Sequence, residues 1–331
     1  MKTTPFLLAL VFEFALLCKV SASIYMIQDT FIGTAFLDAW NWETFDDPTH
    51  GRVNYVDLQT ALAQNLTYAD SNKFVMRADA TQMVPTDSRG RNSVRITSKA
   101  AYDDSIMTID LQHMPYGCGT WPAWWTLSQQ GPWPNYGEVD IIEGVNQDTQ
   151  NLVSLHTTTN CTMNQNRYQT GYTVSTNCDA AVNYNQGCGT RIPKSNSYGS
   201  GFNVNGGGWF VMHKSRDMGV RVWFWSRSDP SVPSAITSGS PVLTYGDMDS
   251  WGTPDANFPP DTCQYDTHFN AHQMVFDLTF CGDWAGSGYS KAGCPGSCVD
   301  FVNNNPGSFL EAYWEVNALR VYSPFFSGVP V

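Results

Sequence analysis

Three acidic residues, Glu138, Asp140 and Glu143, stand in one short apolar run at 137–144, which reads GEVDIIEG. Charged residues make up only 15% of the chain, so three carboxyl groups among Val and Ile are an unusual concentration. Two carboxyl groups about 5 Å apart can cleave a glycosidic bond with retention of configuration, one as nucleophile and the other as general acid/base. The run therefore suggests glycoside hydrolysis as a first hypothesis.

Whether the three acids can act together depends on strand geometry. Side chains alternate along a β-strand, so Glu138 and Asp140 share one face while Glu143 would point to the other. A one-residue bulge at Ile141 and Ile142 would return Glu143 to the first face. With a rise of ~3.3 Å per residue, the Cα atoms of the two glutamates would lie roughly 13 Å apart. If each side chain leaned inward by about 4 Å, the carboxyl groups would be ~5 Å apart, as in a retaining glycosidase.

Three carboxylates on one strand face repel each other, so at least one of them should have a raised pKa. A protonated acid beside an ionised one is the division of labour that glycoside hydrolysis requires. The alternative is an edge strand whose charges prevent pairing with other chains. Edge strands usually use Lys or isolated charges for that purpose, so we favour catalysis.

The remaining sequence predicts the elements that must position these acids. Helical periodicity is almost absent, and short alternating or apolar runs are separated by clusters of Gly, Pro, Asn and Asp. This pattern is typical of an all-β fold and predicts a two-sheet antiparallel β-sandwich. In the run 220–225, Trp223 and Trp225 share a face that could be core or could line a groove. The predicted strands include 92–96, 105–111, 220–225, 274–280 and 318–322.

The first 22 residues have the features of a secretory signal. A Lys near the start is followed by an apolar run and by Val20, Ser21 and Ala22, which predicts cleavage after Ala22. Glu13 within the apolar run leaves a retained membrane anchor as an alternative. No later run approaches ~18 consecutive apolar residues, so we expect a secreted, extracellular protein with no further membrane contact. Composition is uniform after residue 22, which predicts one domain over 23–331.

Cysteine usage agrees with secretion. Of nine Cys, Cys18 lies in the predicted signal, and the remaining eight are an even number. In an oxidising compartment they should form disulfides, with about a hundred possible pairings. Zinc bound by Cys294 and Cys298 is a weaker alternative. The eight cysteines are Cys118, Cys161, Cys178, Cys188, Cys263, Cys281, Cys294 and Cys298.

Charge and short motifs restrict the partners. A net charge of -12 disfavours nucleic acid, whose phosphates such a chain repels. Asn65 and Asn160 begin sequons and are predicted glycosylation sites. His268 and His272 lack the Glu of a zinc protease motif, so we expect no metal and no cofactor. We also expect a monomer whose main partner is a polysaccharide.

The similarity to a known family begins at the acids. GEVDIIEG resembles the E-x-D-x-x-E signature of glycoside hydrolase family 16, in the bulged form associated with laminarinases. Further stretches that look like fungal secreted laminarinases are DPTHGRVNYVD (47–57), GRNSVRI (90–96), MPYGCGTWPAWW (114–125), NGGGW (205–209), TFCGDWAG (279–286) and AGCPGSCVDFVNNNP (292–306). The similarity covers essentially the whole chain after the predicted signal. It implies a concanavalin A-like jelly roll with a substrate cleft across its concave sheet.

The resemblance also implies roles for the acids. Glu138 would be the nucleophile and Glu143 the general acid/base, while Asp140 would hold the nucleophile and tune its charge. The implied activity is an endo-acting β-glucanase that cuts β-1,3 linkages, including those in mixed β-1,3/1,4-glucan, with retention.

Aromatic residues are expected to bind the flat faces of the sugars. The resemblance implies Trp125, Trp133 and Trp284 as platforms, and Trp121 lies in the same cluster before the acidic strand. Trp124 stands where close relatives are expected to have a smaller residue, which leaves the choice between Trp124 and Trp125 open.

Two polar residues complete the predicted site. The resemblance implies that His156 lies near the general acid, although a single His is more often structural. Arg95 is implied in sugar binding, because its guanidinium donors suit hydroxyl groups. A structural ion pair is the alternative for Arg95.

Two other functions remain open on this fold. A β-glucan-binding lectin would be suggested by the loss of an acid, and all three are present. A cell-wall transglycosylase would transfer the same glycosyl-enzyme to a sugar instead of water. Its relatives more often have an unbulged E-x-D-x-E strand, so the extra residue favours hydrolysis.

Overall fold

The computed structural model describes residues 24–325 of the chain. The predicted signal peptide at 1–22, including Cys18, lies outside the described residues and stays a prediction. Within the described residues, the helices are too short or too polar to cross a bilayer.

Extended structure dominates the described residues, as the sequence predicts. The strands are β1 (Ile24–Phe31), β2 (Trp40–Trp42), β3 (Val53–Tyr55), β4 (Thr67–Ala69), β5 (Phe74–Arg77), β6 (Arg91–Ser93), β7 (Arg95–Ser98), β8 (Ser105–His113), β9 (Thr120–Ser128), β10 (Glu138–Glu143), β11 (Leu152–His156), β12 (Tyr172–Thr173), β13 (Cys188–Arg191), β14 (Gly208–Ser215), β15 (Gly219–Ser226), β16 (Val242–Thr244), β17 (Ala256–Phe258), β18 (His272–Phe280) and β19 (Tyr313–Phe325).

Helices are short and lie in the connections between strands. The α-helices are α1 (Ala35–Asp38), α2 (Leu58–Ala63), α3 (Gly199–Val204), α4 (Ser234–Ser238), α5 (Tyr245–Ser250), α6 (Tyr265–His268) and α7 (Cys298–Asn304). Single helical turns of other types are found at Asn183–Asn185, Pro260–Thr262, Gly282–Gly286 and Pro306–Phe309.

Two large antiparallel sheets form the predicted β-sandwich. One has eight strands in the order β12-β13-β11-β10-β9-β18-β7-β2. The other has nine, with β16-β1-β19-β8-β14-β15-β17 as its main path and β5 and β4 joined beside β19. The prediction of an all-β, two-sheet antiparallel sandwich is confirmed.

The main core lies between the two sheets and orients the acidic strand. Val139, Ile141 and Ile142 of β10 are fully buried in it. Trp124 of β9 is also fully buried and stacks on Phe276 of β18, with ring centroids 5.9 Å apart. Because these apolar side chains fill the inner face, the acids of β10 project from the outer face of the eight-stranded sheet.

Strand β15 answers one question that the sequence leaves open. Val222 and Phe224 belong to the main core, whereas Trp223 and Trp225 belong to a second core on the other side of the nine-stranded sheet. Trp251, which follows α5, packs edge-on against both of these tryptophans. Both faces of β15 are therefore core, and the groove interpretation is wrong.

One predicted strand is divided in the structure. The run 92–96 contains the end of β6 and the start of β7, with Val94 between them outside either strand. β6 pairs in parallel with β3, whereas β7 pairs with β18 and β2 in the eight-stranded sheet. Val94 is buried in the main core at the point where the chain changes sheets.

Four disulfides use all eight cysteines of the described residues, as the sequence predicts. Cys294 and Cys298 belong to two different bridges, so the zinc alternative is wrong. The bridges are Cys118–Cys294, Cys161–Cys263, Cys178–Cys188 and Cys281–Cys298.

Candidate active site

The predicted bulge is present in β10. Asp140 lies opposite Trp125 of β9, and Ile142 lies opposite Trp124, so β10 has one residue more than its neighbour. The pairing with β11 shifts register over the same segment, between Asp140 and Glu143. Ile141 and Ile142 both point into the core, and Glu143 thereby returns to the face of the other acids. The prediction from side-chain parity is confirmed.

The position of β10 excludes the alternative explanation of its charges. β10 lies between β9 and β11, and both neighbours are paired with it along its length. A strand inside a sheet has no free edge to protect, so the edge-strand interpretation is wrong.

Each acid has a different polar partner. The indole Nε1 of Trp133 donates to Glu138 Oε2 at 2.7 Å. The indole Nε1 of Trp121 donates to Glu143 Oε1 at 2.9 Å. Asp140 Oδ2 lies 3.3 Å from His156 Nε2. The structure therefore brings together all three predicted acids, two of the predicted tryptophans and the predicted histidine.

Burial and mutual repulsion hold protons on the acids. Burial raises the pKa of Glu143 to about 8, and the charge of Asp140 adds to this effect. Burial and the charge of Glu138 raise the pKa of Asp140 to about 7. Burial also raises the pKa of Glu138, but the charge of His156 and the indole of Trp133 act against it. Glu143 is thus the group best suited to remain protonated near neutral pH, as a general acid must.

His156 is a positive charge placed against the acids. Burial disfavours its charged form, but the hydrogen bond to Asp140 and the charges of all three acids outweigh burial and raise the pKa of His156 to about 10. Its Nδ1 lies 2.7 Å from Asn185 Oδ1. With the Asn185 side-chain carbonyl as acceptor, Nδ1 donates there, and Nε2 faces the Asp140 carboxyl group, which suits the imidazolium form.

The segment that carries Asn185 is tightly constrained. Asn183–Asn185 contains three consecutive residues with φ between 51° and 57°, a conformation that is rare for residues other than glycine. A Cβ atom on Gly187 would lie 2.8 Å from His156 Cε1, so only glycine permits this approach to the ring. The Cys178–Cys188 disulfide closes the segment at its base. Sequence reasoning missed Asn185, whose only local signal is an Asn-rich turn beside a cysteine.

An arginine and two aromatic rings lie on one side of the acids. Arg95 Nη1 is 3.0 Å from Asp277 Oδ2, and Trp125 Nε1 donates to the same oxygen at 3.4 Å. The guanidinium carbon of Arg95 is 5.0 Å from the ring centre of Phe45 and 5.1 Å from that of Trp125. Arg95 therefore does form an ion pair, on the outer face of the sheet, and its implied role in sugar binding stays a prediction.

Asp277 is a fourth buried carboxyl group near the site, and the sequence reasoning missed it. Burial raises its pKa to about 7, although the charge of Arg95 works against the shift. It lies opposite Ala123, which in turn lies opposite Glu143, so both acids are on the same face of the sheet. An acid within the apolar strand β18 is the same kind of signal that marks β10, and it could have been found.

The structure distinguishes the tryptophans. Trp284 lies edge-on to Trp121, with ring centroids 5.6 Å apart, and is only partly buried. Trp133 is 45% exposed and Trp125 is partly exposed on the outer face, whereas Trp124 is fully buried in the core. Trp125, not Trp124, is therefore the one available to a ligand.

Other predicted residues lie outside this cluster. Asn65 and Asn160 are both exposed in turns. Both ring nitrogens of His272 are engaged, Nδ1 with Thr126 Oγ1 and Nε2 with the Tyr136 carbonyl, so this histidine is structural. His268 likewise hydrogen-bonds backbone carbonyls through both nitrogens.

Glu138, Asp140 and His156 could together approach a metal ion. Their ligand atoms lie within 4.8 Å of one another, and they are the one such group among residues 24–325. A metal ion there would have to displace the proton that the three acids hold on His156.

Relatives of this chain carry names that agree with this chemistry. A family profile for the XgeA-like catalytic GH16 domain matches residues 40–322. A probable glycosidase of Schizosaccharomyces pombe is 47% identical over 91% of this chain and 70% of its own length. A probable endo-1,3(4)-beta-glucanase of Aspergillus niger is 40% identical over 93% of this chain, which spans 41% of that longer protein.

Solved structures agree with the fold. The GH16 laminarinase 16A of Phanerochaete chrysosporium, solved with 6-O-glucosyl-laminaritriose in its donor and acceptor sites, is 49% identical. It covers 91% of this chain and 100% of its own, with a TM-score of 0.88. An elongating GH family 16 beta-1,3-glucosyltransferase is 39% identical over 90% of this chain and 100% of its own, with a TM-score of 0.82. With its bulged acidic strand and a family match over most of its length, the chain belongs to glycoside hydrolase family 16 and is a glycoside hydrolase.

Proposed function

We propose that this protein is a retaining endo-β-glucanase that hydrolyses β-1,3-glucans, including mixed β-1,3/1,4-glucans. The observation that carries the proposal is the bulge in β10, which brings Glu138 and Glu143 to one face with separate indole partners. The raised pKa of Glu143 supplies the protonated acid that this chemistry needs.

In the first step, the Glu138 carboxylate attacks the anomeric carbon while Glu143 donates its proton to the departing glycosidic oxygen. The bond between sugar and oxygen breaks, and a covalent glycosyl-enzyme forms on Glu138. In the second step, Glu143 accepts a proton from water as the water attacks the same carbon and releases Glu138. Two inversions leave the configuration retained.

Asp140 and His156 act on the charges of this cycle. The carboxyl of Asp140 adds to the raised pKa of Glu143 and so helps to keep its proton in place before the first step. The His156 imidazolium counters the negative charge of the three acids, which would otherwise repel one another. Removal of either residue should therefore alter proton affinities more than substrate affinity.

The residues beside the acids suit a glucan chain. Trp125, Trp133, Trp284 and Trp121 offer aromatic faces or indole donors, and Arg95 offers guanidinium donors held by Asp277. Sugars bind such surfaces by stacking their C–H faces on rings and by hydrogen bonds between them. The names of the relatives support β-1,3-glucan as the substrate class.

The test is a parallel digestion of laminarin, lichenan and cellulose, with the products sized. We expect short oligosaccharides from laminarin and lichenan and little or no product from cellulose. A Glu138→Gln variant is the matched control, because it removes the nucleophile and keeps the side-chain shape. Release of single glucose units alone would contradict the endo mode, and equal activity in the control would contradict the assigned nucleophile.

Transfer to a second sugar is the alternative that a specific observation favours. A relative of 39% identity is a β-1,3-glucosyltransferase, and both reactions pass through the same intermediate. Incubation with laminaripentaose separates the two, because a transferase makes products longer than the substrate. A lectin is less favoured, because all three acids are present and their raised pKa values suit catalysis.

Further parts of the proposal concern the whole chain. Residues 1–22 would direct secretion, and residues 23–331 would form one extracellular, monomeric catalytic domain with Asn65 and Asn160 as glycosylation sites. The four disulfides support an oxidising destination. Expression in a fungal host tests this: the mature N-terminus should be Ser23, and an intracellular, uncleaved chain would contradict it.

A further inference from the structure

A row of directly paired residues runs across the eight-stranded sheet from Glu143 to its outermost strand. Glu143 lies opposite Leu152 of β11, Leu152 opposite Arg191 of β13, and Arg191 opposite Tyr172 of β12. Residues directly opposite each other in an antiparallel pair share a face of the sheet. Tyr172 is therefore on the face of the acids, three strand spacings from β10, or ~14 Å.

The side chain of Tyr172 is both accessible and held in place. It is 52% exposed, and its hydroxyl donates to Gln150 Oε1 at 3.3 Å. Arg191 Nη1 donates to the Gln150 carbonyl at 2.9 Å and to Asp148 at 3.2 Å. Gln150 and Asp148 belong to the connection that follows Glu143. Hydrogen bonds therefore link the segment that follows β10 to the side chains of Tyr172 and Arg191.

The other end of the same row has a similar composition. From Glu143 the row continues through Ala123 and Asp277 to Arg95, and the exposed ring of Phe45 covers the Arg95 guanidinium. An arginine and an exposed aromatic ring thus stand at each end, with the acids between them. A polysaccharide lying along this row would meet a ring at both ends.

We propose that Tyr172, supported by Gln150 and Arg191, forms an outer subsite for glucan units of the same chain that occupies the acids. This inference rests on the proposed function. The ring offers an apolar face for the C–H face of a pyranose, and the neighbouring amide and guanidinium suit its hydroxyls. Asp148 neutralises Arg191, which disfavours an anionic ligand at this place.

The subsite predicts a dependence on substrate length. Tyr172→Ala should lower kcat/KM for laminariheptaose by about tenfold, equivalent to about 1.4 kcal/mol. For a chromogenic aryl laminaribioside, which is too short to reach the ring, kcat/KM should be unchanged. Tyr172→Phe keeps the ring and should lose much less than Tyr172→Ala on the long substrate.

Tyr168→Ala is the matched control. Tyr168 is 76% exposed, but its hydroxyl accepts from Thr253 at 3.0 Å and it is not part of the paired row. It should leave kcat/KM unchanged for both substrates, and the melting temperatures of all variants should agree.

The outcomes separate the two proposals. A loss confined to the long substrate in Tyr172→Ala supports the subsite. Equal losses on both substrates, or no loss on either, would overturn it while leaving β-glucan hydrolysis intact. A wild-type protein inert toward both substrates would instead refute the proposed function, and the subsite with it.

Discussion

At the scale of single residues, two chemically identical glutamates are separated by their surroundings. Both are partly buried beside charges and both accept an indole hydrogen bond, but only Glu143 has its pKa raised to about 8. The charge of His156 is the largest influence opposing burial at Glu138, whereas at Glu143 the charge of Asp140 adds to burial. The environment, not the residue type, thus gives the two glutamates different pKa values, as the proposed roles of nucleophile and acid require.

Replacement of each glutamate should therefore have a different chemical signature. Glu138→Ala should remove nearly all hydrolysis, and azide should restore a slow reaction that yields the inverted glycosyl azide. Glu143→Ala should lower kcat by roughly 10²–10⁴-fold on natural glucan and form the retained azide on activated substrates. Glu311 is exposed and pairs with His113, so Glu311→Ala is the control and should leave hydrolysis unchanged. If Glu138→Ala gave the retained azide and Glu143→Ala the inverted one, the proposed roles of the two glutamates would be reversed.

The pH profile of kcat/KM should be bell-shaped, with an alkaline limb near the pKa of Glu143 at about 8. Because the acids interact, the limbs belong to the cluster as a whole. Asp140→Asn removes a charge that raises the pKa of Glu143, so the alkaline limb should move to lower pH. The positive charge of His156 acts in the opposite sense but is the weaker influence.

In the same variant the rate should fall while KM changes little, since Asp140 is only 3% exposed and offers almost no surface to a ligand. Measurement of kcat/KM between pH 4 and 10 checks this. An unmoved alkaline limb would mean that Asp140 does not act on Glu143, contrary to the shared face.

At the scale of elements, the bulge could be predicted from the sequence because parity alone requires it. The partners that complete the site could not be found in the same way. Asp277 reaches Glu143 only through the pairing of β18 with β9 and of β9 with β10, a register that no local pattern specifies. The position of Asn185 depends on a turn closed by the Cys178–Cys188 disulfide. The sequence alone could not select that disulfide from the many possible pairings.

Trp284, in the turn after β18, should act as a sugar-binding platform and not as part of the core. Trp284 is partly buried and lies edge-on to Trp121, which hydrogen-bonds Glu143. Trp284→Ala should weaken glucan binding by about 1–3 kcal/mol, because a large contact surface is lost. Its melting temperature should stay close to wild type, whereas Trp124→Ala, which opens a cavity in the main core, should lower it strongly. A comparable loss of stability in both variants would identify Trp284 as core.

At the scale of the whole molecule, alternation predicts strands and hence a sandwich, but not the order of the strands. The pairing of β1 with β19 joins the two ends of the described chain, and periodicity carries no information about such distant partners. For the same reason, the sequence could not decide whether Trp223 belongs to a core. Trp251, which packs against it in the second core, comes from a separate connection.

The disulfides should make the fold resistant to unfolding while intact. Four bridges, each commonly worth ~2–4 kcal/mol, mostly link the connections between strands to one another. Alkylation followed by intact mass, with and without reduction, should give no modified thiol in the oxidised mature protein and eight after reduction under denaturing conditions. More than one free thiol per mature chain would contradict the bridges, and peptide mapping would identify the bridge that is absent.

The central claim is that the two glutamates of a bulged strand cleave β-glucan by double displacement. The most direct test is proton NMR of the anomer released in the first minutes of laminarioligosaccharide hydrolysis, before mutarotation mixes the products. We expect the β-anomer to appear first and the α-anomer to grow in later. An α-anomer at the outset would mean single displacement by water, and the roles assigned to Glu138 and Glu143 would be wrong.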